Sequence, residues 1–463
     1  MNSQQSNRSQ YGLTLHVVDK GKRSKHSRPG NATIAEIGTE IVFDPSILDT
    51  YHYDGWKPVH LDLLVVCAAV EFADRRCARR ATQWARPFHI TVPVLELAVW
   101  QQQEVQAHLR DTLHHLTGDD WHFSFVQATG SAENGTRQRT LPFGNNKQFA
   151  IAYSDGIDSR CVSGLFDTGN TAVRVRVTKN KDRVKKGEQP FDLIPFRVKP
   201  KPSPESSFRS RGFIFASITS IAGHLSGVNR IIVPESGQGA LGPVLLPLHN
   251  IYADYRNHPT FFRKMERFIK TLLGYSVVYE QPRLWYTKGQ TIEAFLAQPR
   301  EGQGSVLRTR SCWQKRWNVK IDGEFRQCGL CAACLLRRMS MQAAGVTEPS
   351  GTYMIADLTT ARYEDAISRR NRTRPSHTMV EYGSVGVRHF QQLADLAERP
   401  NAALRPHVFE IARATGAPEQ DTRDNLRKLL VQHAKEWRDF VSAQGQHSFI
   451  KSWTKGGRYG RSE

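Results

Sequence analysis

The chain has 463 residues, 39% of them apolar, and a formal charge of +20. Mean hydropathy is −0.50 and no apolar run approaches the ~20 residues of a membrane span, so a helical membrane protein is excluded and two to four globular domains are expected. The positive field attracts nucleotides, nucleic acid or an acidic protein without choosing among them.

The start, Met1 to Gly12, is polar, lacks the apolar stretch of a secretory signal and reads as a soluble tail. From about residue 11 to 145, alternating apolar residues predict strands over Gly12–Val17, Thr33–Phe43, His89–Val94 and Trp121–Gln127. Helices are predicted over Leu61–Arg80, with Leu64, Cys67, Ala68 and Phe72 on one side, and over Glu104–Leu116. This mixture reads as an N-terminal α+β domain over 1–145, a candidate docking module for a partner.

Residues 146–350 read as α/β. Strands are predicted at Gln148–Tyr153, Ala172–Val177 and Arg230–Pro234, and helices from about Ser159, over Phe213–Leu225 and over His258–Leu273. Alternation of this kind implies a parallel sheet with right-handed crossovers. A basic, Pro-rich insertion, Lys179–Arg211, interrupts it and contains Lys-Pro-Lys-Pro-Ser-Pro at 199–204. Residues 351–463 read as a C-terminal helical region with amphipathic stretches at Phe390–Leu396 and Asp424–Val441. Leu426, Leu429, Leu430, Trp437 and Phe440 recur there at helical spacing as packing residues. The Gly/Arg-rich end from Lys455 reads as a disordered tail.

Between the strand ending at Tyr153 and the helix from about Ser159 lies Ser154-Asp155-Gly156-Ile157-Asp158-Ser159. A helix start offers unpaired N–H groups and the positive end of a dipole, so anions bind there. Small residues admit a phosphate to the backbone, and Ser154 and Ser159 each supply a hydroxyl. Asp158 beside phosphates would need a Mg²⁺ to hold or loop amides to orient. As it stands, the run is also compatible with a polar turn that binds nothing.

The chain has seven cysteines. Cys67, Cys77 and Cys161 are isolated and read as small core residues. The other four form Cys312-x₁₅-Cys328-x₂-Cys331-x₂-Cys334, a spacing that closes a tetrahedral thiolate cage around structural Zn²⁺; an Fe–S cluster is the alternative. Such usage fits a reducing cytoplasm rather than a secreted disulfide framework.

The turn resembles the Ser-Gly-Gly-x-Asp-Ser loop of PP-loop ATP pyrophosphatases, with Asp155 where glycine is usual. Arg308-Thr309-Arg310-Ser311-Cys312-Trp313 and Cys328-Gly329-Leu330-Cys331-Ala332-Ala333-Cys334-Leu335-Leu336-Arg337-Arg338 resemble the zinc segment, here 308–338, of the 7-cyano-7-deazaguanine synthase (QueC) family. Between turn and knuckle, Tyr286-Thr287-Lys288-Gly289-Gln290 resembles that family's Thr-Lys element at a helix start. The resemblance covers about 146–350. The whole layout resembles QueC-like proteins of bacterial anti-phage defence systems, including the Qat and type IV CBASS contexts.

The resemblance implies a HUP-like parallel sheet with a zinc knuckle, and ATP, Mg²⁺ and Zn²⁺ as ligands. It implies that 7-carboxy-7-deazaguanine or a related purine analogue is adenylated with release of pyrophosphate, then passed to an amine. Residues Ser154, Asp155, Gly156, Ile157, Asp158 and Ser159 would hold the nucleotide, and Asp158, Lys288 and Arg308 would serve catalysis. Glu235 and His258 are candidate substrate contacts. The flanking regions point to an amine carried by a partner protein. Three other readings stay open: nitrile synthesis from ammonia, a tRNA-modifying PP-loop enzyme, and a non-catalytic nucleotide-binding scaffold.

Overall fold

A computed structural model of the chain describes residues 12–22, 32–43, 56–79, 85–129, 146–176, 196–205, 208–247, 252–299, 302–314, 316–321, 323–367 and 376–455. The N-terminal tail, most of the basic insertion and the Gly/Arg-rich end beyond Lys455 lie outside the described residues. Two compact units result. One is Met1–Ser154 with Asp167–Val233 and His249–Gln281; the other is Asp155–Phe166 with Pro234–Leu248 and Pro282–Glu463.

The first unit contains two four-stranded sheets, each parallel throughout. One has the order Thr33–Glu36, Leu13–Val18, Pro87–Val94, Asp120–Gln127. The other has the order Val278–Glu280, Arg230–Ile232, Phe149–Tyr153, Ala172–Arg176. The N-terminal region is therefore α/β rather than the expected α+β. Alternation along a strand reports which side is buried but says nothing of the direction of its neighbour.

Helix Pro58–Arg76 is buried on every side from Leu63 to Ala73. The cause is visible in its partners: it packs against the strand Pro87–Val94 on one side and the helix Arg211–Leu225 on another. A single hydrophobic core runs from Leu15 through Leu64, Phe88, Phe213 and Ile231 to Tyr279. Each Leu, Val or Phe so buried contributes about 1.5–3 kcal/mol. The expected strand Thr33–Phe43 is broken at Gly38, whose φ of 96° is open mainly to glycine. Its second half, Ile41–Phe43, pairs antiparallel with Phe196–Val198 from the basic insertion.

The second unit is mainly helical. Helices Ile157–Phe166, Lys288–Leu296 and Ala332–Ala343 gather around Ile157, Cys161, Ile292, Phe295, Val306 and Met341. The C-terminal helices His377–Asp395, Asn401–Thr415 and Glu419–Ala443 follow. Trp437, Phe440 and Phe390 share one core with Cys328, Leu330 and Leu335 of the cysteine segment, while Leu426, Leu429 and Leu430 pack with Leu284, Leu393 and Leu404. Among the described residues no helix is long and apolar enough to cross a membrane.

Candidate active site and metal centre

Strand Phe149–Tyr153 runs straight into the turn, and the helix begins at Ile157, two residues earlier than the sequence indicates. Its first backbone N–H groups lack partners within the helix by geometry. Apolar side chains fix the turn from below, since Ile157 is 1% exposed and sits in the core with Cys161 and Phe295. Its contribution to any ligand is thus its backbone. Asp155 is exposed and its carbonyl accepts from the Arg310 N–H at 2.8 Å, which ties the turn to the segment ahead of the first knuckle cysteine. Ser154 is half-buried and Ser159 is buried.

Three charged side chains converge on the helix start. Lys288 is buried and its Nζ is paired with Asp158 Oδ2. The Glu235 carboxylate lies 3.9 Å from the same nitrogen. Burial opposes the ammonium charge, but Asp158 and then Glu235 outweigh it and hold the Lys288 pKa above the ordinary lysine value. Asp158 Oδ1 is buried with no hydrogen-bond partner. An orphaned carboxylate oxygen beside a helix start is a fitting donor for a hard cation such as Mg²⁺. A Cβ at Gly239 would collide with the Glu235 carboxylate, so the absence of a side chain there makes room for Glu235.

Lys288 is itself held by the C-terminal region. Thr287 caps the helix Lys288–Leu296: its hydroxyl accepts from the Gln290 N–H at 3.1 Å, while Gln290 Oε1 accepts from the Thr287 N–H at 3.0 Å. The Thr287 hydroxyl donates to Glu436 Oε1 at 2.5 Å. The Lys288 N–H donates to Gln238 Oε1 at 2.8 Å. Gln238 in turn lies 2.9 Å from His433 Nδ1, and His433 Nε2 lies 3.0 Å from the Phe390 carbonyl. A carbonyl can only accept, so Nε2 carries the proton and Nδ1 accepts from Gln238. Burial pushes the His433 pKa down to about 4, which keeps this imidazole neutral. Burial also raises the Glu436 pKa, against the hydrogen bonds from Thr287 and Gln432.

Cysteines 312, 328, 331 and 334 offer four sulfurs within 4.8 Å of one another. The Cys328 and Cys334 sulfurs are 3.7 Å apart. That is far beyond a disulfide and matches the ~3.8 Å edge of a tetrahedron with metal–sulfur distances of ~2.3 Å. Backbone N–H groups of Leu330 and Cys331 point at Cys328 Sγ at 3.4 and 3.3 Å, and that of Cys328 at Cys312 Sγ at 3.2 Å. Amides so placed stabilise thiolates. Gly329 has a φ of 82°, and a Cβ there would lie 2.4 Å from the Ile355 carbonyl oxygen. The donor set fits Zn²⁺ with every position filled by sulfur, leaving none for catalysis.

Arg337 carries the link between knuckle and turn. It is fully buried, donates to the Thr309 carbonyl at 3.0 Å and hydroxyl at 2.7 Å, and pairs with Glu348 at 2.7 Å. Two candidates remain, Arg308 and His258. Arg308 is exposed at the C-cap of the short helix Gln303–Leu307. His258 belongs to the first unit, where its Nδ1 caps the helix Pro259–Leu273 by accepting from the Thr260 N–H at 3.3 Å.

Gln238, Glu436 and His433 escaped the sequence reading. The only signal available was Thr287-x-x-Gln290, which has the spacing of a capping box. No protein-family model, curated protein or solved structure matches the chain.

Proposed function

We propose that this chain is a QueC-like, PP-loop ATP-dependent ligase, which adenylates a 7-deazaguanine carboxylate and transfers it to an amine. The observation that carries the reading is the convergence of Asp158, Lys288 and Glu235 at a helix start that follows a Ser-Asp-Gly-Ile-Asp-Ser turn. The cysteine knuckle, strapped to the turn through Arg337 and Arg310, supports the same reading.

In this reading a carboxylate oxygen of the substrate attacks the α-phosphorus of ATP, and the bond to the bridging oxygen breaks to release pyrophosphate. An amine then attacks the acyl carbon, loses a proton and expels AMP. Two anions must meet, so cations have to offset their repulsion. Lys288 supplies one charge: it leaves Asp158 for the phosphates, as a point cation on a flexible stem can. That exchange frees the Asp158 carboxylate for Mg²⁺, which would neutralise the leaving pyrophosphate. Glu235 accepts from an amino group of the base in this reading. Since the C-terminal helix braces Lys288, the extra regions serve the site as well as any acceptor. The acceptor we propose is an amine of a partner protein.

The test is AMP and pyrophosphate release with 7-carboxy-7-deazaguanine, comparing wild type with Asp158→Ala. The reading expects release that depends on the carboxylate and falls at least a hundredfold in the variant. Weighing the candidate partner and the small-molecule products identifies the amine: a gain of mass on the partner supports transfer to protein, whereas free nitrile without a partner points to ammonia. Absence of AMP under every substrate sinks the enzymatic reading.

A further inference from the structure

The first unit holds a buried charge cluster that the proposed reaction does not use. Arg86 is 1% exposed and donates to Asp74 Oδ1 at 2.6 Å and to Asp119 at 3.1 and 2.8 Å. Arg79 forks onto both oxygens of Asp119 at 3.0 and 2.5 Å. The second oxygen of Asp74 accepts from the N–H and hydroxyl of Ser210 at 2.9 and 2.8 Å. Asp254 takes the Arg256 fork at 2.9 and 2.5 Å. All three aspartates around residue 209 are therefore occupied by other donors.

Arg209 is the cation left over. Its Nη1 is buried with no acceptor, and among the described residues no carboxylate pairs with its guanidinium. Its one contact of note is the Tyr252 ring, 6.0 Å from Cζ. Arg211, two residues on, lies over the Phe215 ring at 4.7 Å, with the Glu71 carboxylate partly offsetting its charge. A buried donor without an acceptor is costly, and a guanidinium more so than a neutral group. Burial, and then the Arg79 charge, push the Arg209 pKa down, with Asp254, Asp119 and Asp74 opposing. The nearby aspartates offset part of this cost, but Nη1 is left without an acceptor.

Position in the sheet points the same way. Helix Arg211–Leu225 returns antiparallel to the strands Phe149–Tyr153, Ala172–Arg176 and Arg230–Ile232 that it packs on, so its start lies at their carboxyl ends. Open α/β sheets bind ligands at that edge.

We propose that Arg209, supported by Arg211, is the anchor of an anion site within the first unit that takes a phosphate group. Phosphate offers the planar fork of arginine two oxygens at once. The group could arrive as free phosphate or within a phosphodiester strand.

The test uses the full chain without Mg²⁺, where the Asp158 carboxylate repels phosphate and keeps Lys288 paired, so that binding at the turn does not contribute. Inorganic phosphate is titrated by phosphorus NMR line broadening, and a labelled single-stranded oligonucleotide by fluorescence anisotropy, each against chloride at matched ionic strength. Phosphate binding is expected to weaken roughly tenfold or more in Arg209→Gln, the loss of a charged hydrogen bond, and to a smaller degree in Arg211→Gln. An oligonucleotide that binds more tightly than phosphate and loses its affinity in the same variants assigns the site to a strand; loss of phosphate binding alone assigns it to the free ion. Circular dichroism checks that the variants fold, which removal of a partnerless buried cation favours. Phosphate affinity unchanged by Arg209→Gln, or an effect that chloride reproduces, overturns the proposal.

Discussion

Lys288→Met removes the cation between Asp158 and Glu235 while keeping the length of the side chain. The lysine is 8% exposed, and the Asp158 and Glu235 side chains are 17% and 20% exposed. Breaking a buried pair by removing one partner costs ~3–5 kcal/mol because the other charge is stranded. Residual access of water to both carboxylates places this site at the lower end, about 3 kcal/mol, or two orders of magnitude in the folding constant. Urea denaturation followed by tryptophan fluorescence at pH 7 reads the difference. The pH dependence adds a sign. In wild type the folded pKa of Lys288 is raised, so its contribution is fully present below the unfolded lysine value and disappears only as pH rises through the folded one. Wild type therefore keeps this contribution from pH 7 to 9. A variant within ~0.5 kcal/mol of wild type, or a wild type that loses stability against the variant between pH 7 and 9, would refute the electrostatic account of this site.

The cysteine cluster should bind about one zinc per chain, measured by atomic absorption after dialysis, and Cys331→Ser should lose it. Because Cys328, Cys331 and Cys334 share a core with Trp437 and Phe440, chelation should also shift tryptophan emission to the red; an unchanged spectrum with full metal loss would count against that shared core. Burial holds His433 at a pKa of about 4, below the unfolded value, so its contribution to stability is present above ~6.5 and is lost as pH falls toward the folded value, at about 1.4 kcal/mol per pH unit. His433→Gln should flatten the decline in urea midpoint between pH 6.5 and 4.5, and an identical slope would mean that this imidazole is already charged in the folded state.

Local features of this chain were legible in its residues. Cysteine spacing foretold the clustering of four sulfurs, because a knuckle is a short-range structure that Gly329 makes sterically feasible. The turn at Ser154–Ser159 could be placed because a β-rich run of Phe149–Tyr153 gives way to small polar residues. Lys288 was assigned to a helix start, and the Thr287 capping box puts it there. The support behind Lys288 was not legible. Thr287 meets Glu436 across 149 residues and Gln238 meets His433 across 195. Helical periodicity of Leu426, Leu429, Leu430 and Trp437 reveals which face is buried but not what it is buried against. Strand direction in the N-terminal region was hidden for a related reason: apolar alternation in Leu13–Val18 and Asp120–Gln127 is the same for parallel and antiparallel neighbours.

The path of the chain has a consequence for synthesis. It passes from one compact unit to the other after residues 154, 166, 233, 248 and 281, so neither unit is a contiguous segment. On the ribosome, Leu15 and its neighbours must wait until Tyr279 has emerged before their core is complete. At ~5–20 residues per second that interval lasts tens of seconds, and the side of helix Pro58–Arg76 that packs on Arg211–Leu225 is uncovered for much of it. Long-range closure of this kind slows folding. Expression at lowered temperature, or with a holding chaperone, should therefore raise the soluble yield more than any truncation at a presumed domain boundary.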